Sequence, residues 1–173
     1  MNPWVKRLTG LAVALVIFAI DQVIKNWVVH GLGLDQVGES RYVLPFYNFT
    51  FTQNFGVSLG LFTAGSPEGR WALVAMTSAI ALFVFAWMLR ERKLPEIAAL
   101  GLVLGGALGN IRDRFGVGYV IDYADLHFGG WRPFLIFNLA DAAITIGVLI
   151  ILARSLFSRD KPETEAQPAP TVD

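Results

Sequence analysis

Long apolar runs alternate with short polar connections along this chain. The first run extends from about Leu8 to Val29 and is broken only by Asp21, Gln22, Lys25 and Asn26. The second, Trp71 to Leu89, is apolar or small throughout. The third opens near Pro95 and reaches about Phe115, with its polar groups gathered at the far end. The fourth runs from about Phe134 to Ala153. A helix rises about 1.5 Å per residue, so ~20 residues cross a ~30 Å hydrocarbon layer. Each run is predicted to be a transmembrane helix. The first has a basic start like a cleavable leader, but no small-x-small site follows it and it carries an internal Asp and Lys, so it reads as a retained span.

The connection over residues 30–70 is too long for a turn. Within it, Phe49, Phe51 and Gln53 alternate with Thr50, Thr52 and Asn54, the period of a strand. Strands cannot end unpaired in lipid, so a small sheet is expected at or above the membrane surface. The fold class predicted is an all-α membrane protein of four transmembrane helices with a small β-rich extracytoplasmic subdomain. Residues 1–158 read as one membrane-embedded domain. Residues 159–173, rich in proline and acidic side chains, read as a disordered cytoplasmic tail.

Composition agrees. Hydrophobic residues make up 54% of the 173 residues and charged ones only 16%, against about a quarter in soluble proteins. Lys plus Arg and Asp plus Glu both number 14, so no net charge draws nucleic acid. The absence of cysteine excludes a disulfide, a thiol nucleophile and a sulfur metal site. Lys6 and Arg7 precede the first run; Arg90, Arg92 and Lys93 fill the second connection; Arg154, Arg159 and Lys161 follow the last run. The positive-inside rule makes these the cytoplasmic ends, with both termini inside and the 30–70 and 116–133 loops outside.

Against this background the polar groups are few and costly. Asp122 and Asp141 sit at the entrances to membrane-length segments, and carboxylates at that depth are rarely there for packing alone. If they meet, like charge should raise one pKa and leave the pair sharing a proton, the division of labour that suits water-activated peptide hydrolysis. An ion site or a proton relay fits the same spacing. Asn138 lies three residues before Asp141 on the same helix face. Asp21 and Lys25, four apart, read either as an ion pair bracing the bundle or as direct partners of substrate. Gly101, Gly105 and Gly109 recur at the spacing that lets helices approach closely. Beyond them Asn110, Arg112, Asp113 and Arg114 form a polar collar, with Arg112 assigned to lipid headgroups and Asp113 and Arg114 to bracing a site or neutralising one another. Asn54, an amide beside a glycine, is suited to holding a peptide backbone. Asp122, Asp125 and His127 could in principle ligate a metal, but no His-Glu-x-x-His motif accompanies them and 125–127 reads as a surface loop. Ser58 lacks a partner base. A transporter or ion-binding bundle, and a structural assembly protein, are the alternative readings.

Five blocks, in order, carry a resemblance. They are Asp21-Gln22-Val23-Ile24-Lys25; Thr52-Gln53-Asn54-Phe55-Gly56; Gly105-Gly106-Ala107-Leu108-Gly109-Asn110 with Asp113-Arg114; Gly118-Tyr119-Val120-Ile121-Asp122-Tyr123; and Phe137-Asn138-Leu139-Ala140-Asp141. Together they resemble the bacterial lipoprotein signal peptidase (signal peptidase II) family of membrane aspartyl proteases, over about Leu8 to Leu152. The resemblance implies Asp122 and Asp141 as the catalytic dyad and Asp21, Lys25, Asn54, Asn110, Asp113, Arg114 and Asn138 as supporting positions. It implies cleavage of diacylglyceryl-modified prolipoproteins just before the lipidated cysteine, inhibition by globomycin-like peptides, no metal and no cofactor. The setting implied is the bacterial inner membrane, with the site near the outer leaflet of a monomer. Tyr123 stands where the family usually has Phe, and Val57-Ser58-Leu59-Gly60 replaces a more usual run; both read as mild departures.

Overall fold

The computed structural model describes residues 2–56 and 66–157; the Val57-Ser58-Leu59-Gly60 run and the 159–173 tail lie outside the described residues. Among the described residues, four helices are long and apolar enough to cross a membrane. They are α1 (Pro3–Asn26), extended by a π-turn over Trp27–Gly31, α2 (Pro67–Arg90), α3 (Leu94–Gly116) and α4 (Leu139–Phe157). The termini carry their signals. Asn2 and Ser66 cap α1 and α2 through side-chain oxygens, and proline opens each of α1, α2 and α3, where a missing N–H costs nothing.

The third helix is the axis of the bundle. Its apolar window is 56% buried against 17–22% for the other three, whose remaining apolar surface is left for lipid. Small residues make this possible. A Cβ on Gly101 would meet the Gly10 carbonyl oxygen at 2.6 Å, and one on Gly105 would meet that of Ala14 at 2.5 Å, so α1 rests backbone to backbone on α3. Gly106 faces the Ala140 carbonyl of α4 in the same way. The glycine spacing is thus a packing device, as expected.

The basic ends of all four helices gather at one end of the bundle. There Lys6 Nζ donates to the Arg92 carbonyl (2.7 Å) and Arg154 pairs with Glu96 (2.6 Å). At the opposite end lies one antiparallel sheet in the order β1-β2-β3, formed by β1 (Ser40–Leu44), β2 (Tyr47–Asn54) and β3 (Val120–Leu126). The alternating run over 49–54 lies in the second arm of a hairpin turned at Pro45-Phe46. Phe51 (1% exposed) anchors the sheet to Val28, Leu34, Tyr123 and Ala124.

Three expectations need correction. Residues 116–133 are not a simple loop: β3 runs through them, and Asp122 sits on that strand rather than at the mouth of a span. Asp125 is not on a surface loop but on the same strand, 2% exposed, held by Arg132 (2.8 and 3.1 Å) and Thr50 (3.0 Å). The fourth helix begins at Leu139, not Phe134, because Phe137 exchanges backbone hydrogen bonds with Ala124 of β3 (2.7 and 3.2 Å) and so is spent on the sheet.

Candidate active site

Two polar clusters lie where the bundle meets the sheet. The inner one is centred on Lys25, 2% exposed on α1. An ammonium has three N–H donors, and all three are used: Asp21 Oδ2 at 2.8 Å, Asp113 Oδ2 at 2.7 Å and Asn110 Oδ1 at 3.2 Å. Gln22 Nε2 adds donors to Asp21 (3.1 Å) and Asp113 (3.0 Å) and to the Gly109 carbonyl (3.3 Å). Gly109 is required here, since a Cβ would lie 2.5 Å from Asp21 Oδ2. Of the two readings of the Asp21–Lys25 pair, the geometry fits the bracing one, with α3 supplying the second carboxylate. The collar is arranged differently from expectation. Asp113 fits the bracing alternative and not the pairing one: it meets Lys25 rather than Arg114, because it sits on the α1 side of α3. Arg112 donates to Gln22 Oε1 (2.6 Å) instead of standing free for headgroups.

The outer cluster is centred on Asn138, fully buried at the start of α4. Its Nδ2 donates to Asp122 Oδ1 (2.6 Å), while its Oδ1 accepts from the Asp141 N–H (2.9 Å) and its own N–H reaches Asp141 Oδ2 (3.3 Å). The last two bonds are a reciprocal helix cap of the capping-box type, with Asn138 as N-cap and Asp141 three residues on. One asparagine therefore touches both aspartates, one from a strand and one from a helix. The remaining oxygens are also met: Asn54 Nδ2 donates to Asp122 Oδ2 (3.0 Å) and Asn110 Nδ2 to Asp141 Oδ1 (2.8 Å). Asn54 is itself fixed by an Asx turn in which Gly56 N–H donates to its Oδ1 (2.8 Å), with Gly56 at φ +84°.

Each of the four carboxylate oxygens thus receives one neutral N–H donor and keeps a lone pair for a proton or a water. No cation lies within ion-pair distance of either aspartate among the described residues. Burial, and next the Asp141 charge, push the Asp122 carboxyl up to about 6; its bonds from Asn54 and Asn138 pull the other way. Arg114, half-buried, has its Nε unpaired among the described residues, and an Nη2 lies 3.6 Å from where a Gly56 Cβ would stand. It borders the pair without neutralising it.

Eight of the nine positions named from sequence are hydrogen-bonded into these two clusters, joined by Asn110, and Arg114 borders the second. Sequence reasoning missed the hydroxyl of Tyr123, which accepts from Leu139 N–H (3.2 Å), and the Asp21 Oδ1 bond from Ala140 N–H (3.0 Å); neither leaves a pattern in spacing.

Fold and site together define a polytopic membrane protein that keeps two aspartates, bridged by a buried amide, at the junction of its helices and sheet. A family model described as signal peptidase (SPase) II matches residues 13–157. The chain is 48% identical over 164 residues to a lipoprotein signal peptidase of Sphingopyxis alaskensis, covering 95% of this chain and 94% of that one. It is 46% identical over 162 residues to one of Rhizorhabdus wittichii, covering 93% and 92%. Among solved structures it superposes on a bacterial membrane enzyme determined by the in meso method at 1.9 Å, with TM-score 0.73, 29% identity, and 88% and 94% coverage. The chain belongs to the signal peptidase II family.

Proposed function

We propose that Asp122 and Asp141 are the catalytic dyad of this membrane aspartic endopeptidase, which acts on lipoprotein signal peptides. The observation that carries this is Asn138, whose side chain and backbone hold both carboxyl groups in one hydrogen-bonded unit while leaving each oxygen a free lone pair. Burial, and next the neighbouring Asp141 charge, raise the Asp122 carboxyl to about 6, so it gives and takes a proton closer to neutral pH than a free carboxyl does.

Hydrolysis then needs no covalent intermediate. Water held between the carboxyls gives a proton to the ionised aspartate as its oxygen attacks the scissile carbonyl. The protonated aspartate supplies its proton to the carbonyl oxygen. Collapse of the tetrahedral diol breaks the C–N bond as the first aspartate passes its proton to the departing amine and one diol hydroxyl returns a proton to the second aspartate, which restores the starting pair. Asn54 and Arg114 lie beside the pair and are suited to fix substrate carbonyl oxygens. Asn110 and Asn138 position the carboxyls; Asp21, Lys25 and Asp113 hold the helices that carry them.

The substrates we propose are diacylglyceryl prolipoproteins, cut just before the lipidated cysteine, with globomycin-like peptides as inhibitors. Acyl chains and signal helix reach the site from the bilayer. Residues 1–158 act as one unit, a monomer, since both aspartates come from one chain; no nucleic acid takes part. The gathering of basic residues at the end of the bundle away from the dyad supports cytoplasmic termini in a bacterial inner membrane, with the site near the outer leaflet.

The test is a gel-shift assay of purified protein with a lipidated prolipoprotein. A shorter product that globomycin suppresses is expected. Intact substrate, or solute flux without cleavage, overturns the reading.

A further inference from the structure

The first N–H groups of any helix have no carbonyl one turn below to bond to. In α4 they are met by three side chains from three parts of the chain. Leu139 N–H donates to the Tyr123 hydroxyl oxygen (3.2 Å), Ala140 N–H to Asp21 Oδ1 (3.0 Å) and Asp141 N–H to Asn138 Oδ1 (2.9 Å). The third is a local cap and the second ties α4 to the Lys25 cluster. The first comes from β3, from the residue next to Asp122.

That adjacency matters. Successive side chains on a strand leave opposite faces. Asp122 turns to Asn54 and Asn138, and Tyr123 leaves the other side to reach the helix turn that carries Asp141. Tyr123 is 4% exposed, its ring packs on Phe49 with centroids 6.0 Å apart, and its N–H donates to the Phe137 carbonyl (3.1 Å). Backbone, ring and hydroxyl are all engaged, so the residue spans from the strand of one aspartate to the helix of the other. Burial holds the phenol well above its ordinary titration range, which keeps the hydroxyl neutral.

We propose that Tyr123 is a positioning residue for the carboxylate pair: its hydroxyl fixes the first turn of α4 against β3 and so sets the separation of Asp122 and Asp141. The proposal rests on the dyad reading above. Phenylalanine would fill the same space but leave the part-buried Leu139 N–H without its acceptor, and such a group draws in water or shifts until it finds one. The tyrosine, a mild departure by sequence, thus has a specific partner. The hydroxyl touches α4 rather than substrate, so its loss should act on turnover and not on binding. A misplacement of about 1 Å can cost up to ~10²-fold in rate.

The experiment compares the full chain with Tyr123→Phe in one lipid environment, measuring kcat and KM on a lipidated prolipoprotein, and amide hydrogen exchange over residues 137–143. Tyr47→Phe is the control, because that ring packs in the same aromatic group, 5.3 Å from Phe49. For Tyr123→Phe we expect kcat to fall about tenfold with KM within about twofold, and faster exchange over 137–143. Tyr47→Phe should change neither. Wild-type kcat in Tyr123→Phe overturns the proposal, whether or not exchange rises, as does an equal loss in Tyr47→Phe, which would show that losing any hydroxyl from this aromatic group has the same effect as losing the bond to Leu139. If the wild-type chain cleaves nothing, the dyad reading fails and takes this role with it; a cleaving wild type beside an unaltered Tyr123→Phe removes this role alone.

Discussion

The Lys25 cluster and the Asn138 cluster are built from the same side chains, carboxylates and amides buried within one region, yet they are opposite in character. Around Lys25 a cation sits between two aspartates and every ammonium proton has an acceptor. Around Asn138 two aspartates face neutral amides, and Asp122 titrates near 6. Saturated charge suits a brace, whereas charge left partly unmet suits the reactive pair proposed above. The two regions touch through Asn110, which accepts from Lys25 and donates to Asp141, so the brace also aims the pair.

Substitution should separate them. The largest effect falls on turnover: Asp122→Asn and Asp141→Asn are each expected to lower the cleavage rate by about 10⁴-fold, the upper range for a general acid or base, with little change in thermal unfolding. An active mutant with a normal rate removes that residue from the chemistry. Lys25→Met should do the reverse in kind. It strands two carboxylates at 0% and 3% exposure, and breaking a buried pair costs about 3–5 kcal/mol, so the protein should unfold far more readily in detergent. An unchanged unfolding temperature would show that the cluster is not a brace.

Asn138→Ala lies between the two. It removes a bond to each aspartate and a helix cap, predicting about a hundredfold loss in kcat together with roughly 1 kcal/mol of stability; a stability loss with full activity would separate the cap from the chemistry. The smallest effect is on pH. Asp122 is raised, so its proton is held below about pH 6 and lost above it. A mechanism that needs that proton slows as pH rises through about 6, and the limb should vanish in Asp122→Asn, measured on residual activity. For folding the same shift works in the same direction: the folded state binds this proton more tightly than the unfolded chain, so stability declines as pH rises through about 6.

Much of this was legible in the sequence, for physical reasons that differ by element. The spans are legible because lipid demands about twenty apolar residues in a row, and the strand over 49–54 because that run alternates with period two. Asp141 and Asn138 could be paired by helical spacing alone. The third strand was hidden because its burial shows no alternation: Val120 and Asp122 to Asp125 are all buried, with Asp122 on one face and Tyr123 on the other. Phe134 to Phe137 looked like the start of a helix because a short apolar run fits helix and strand equally well. The partner of Asp113 was hidden too. Its neighbour in sequence is an arginine, but the face of α3 it occupies belongs to Lys25.

The closed brace also constrains biogenesis. An Asp or a Lys within a span is costly to leave unpaired in lipid, and Asp21 and Lys25 lie on the first helix. The first helix therefore leaves the ribosome without the carboxylate and amide that complete the shell of Lys25, which reside nearly ninety residues downstream. The shell of Lys25 closes only when the third helix packs beside the first.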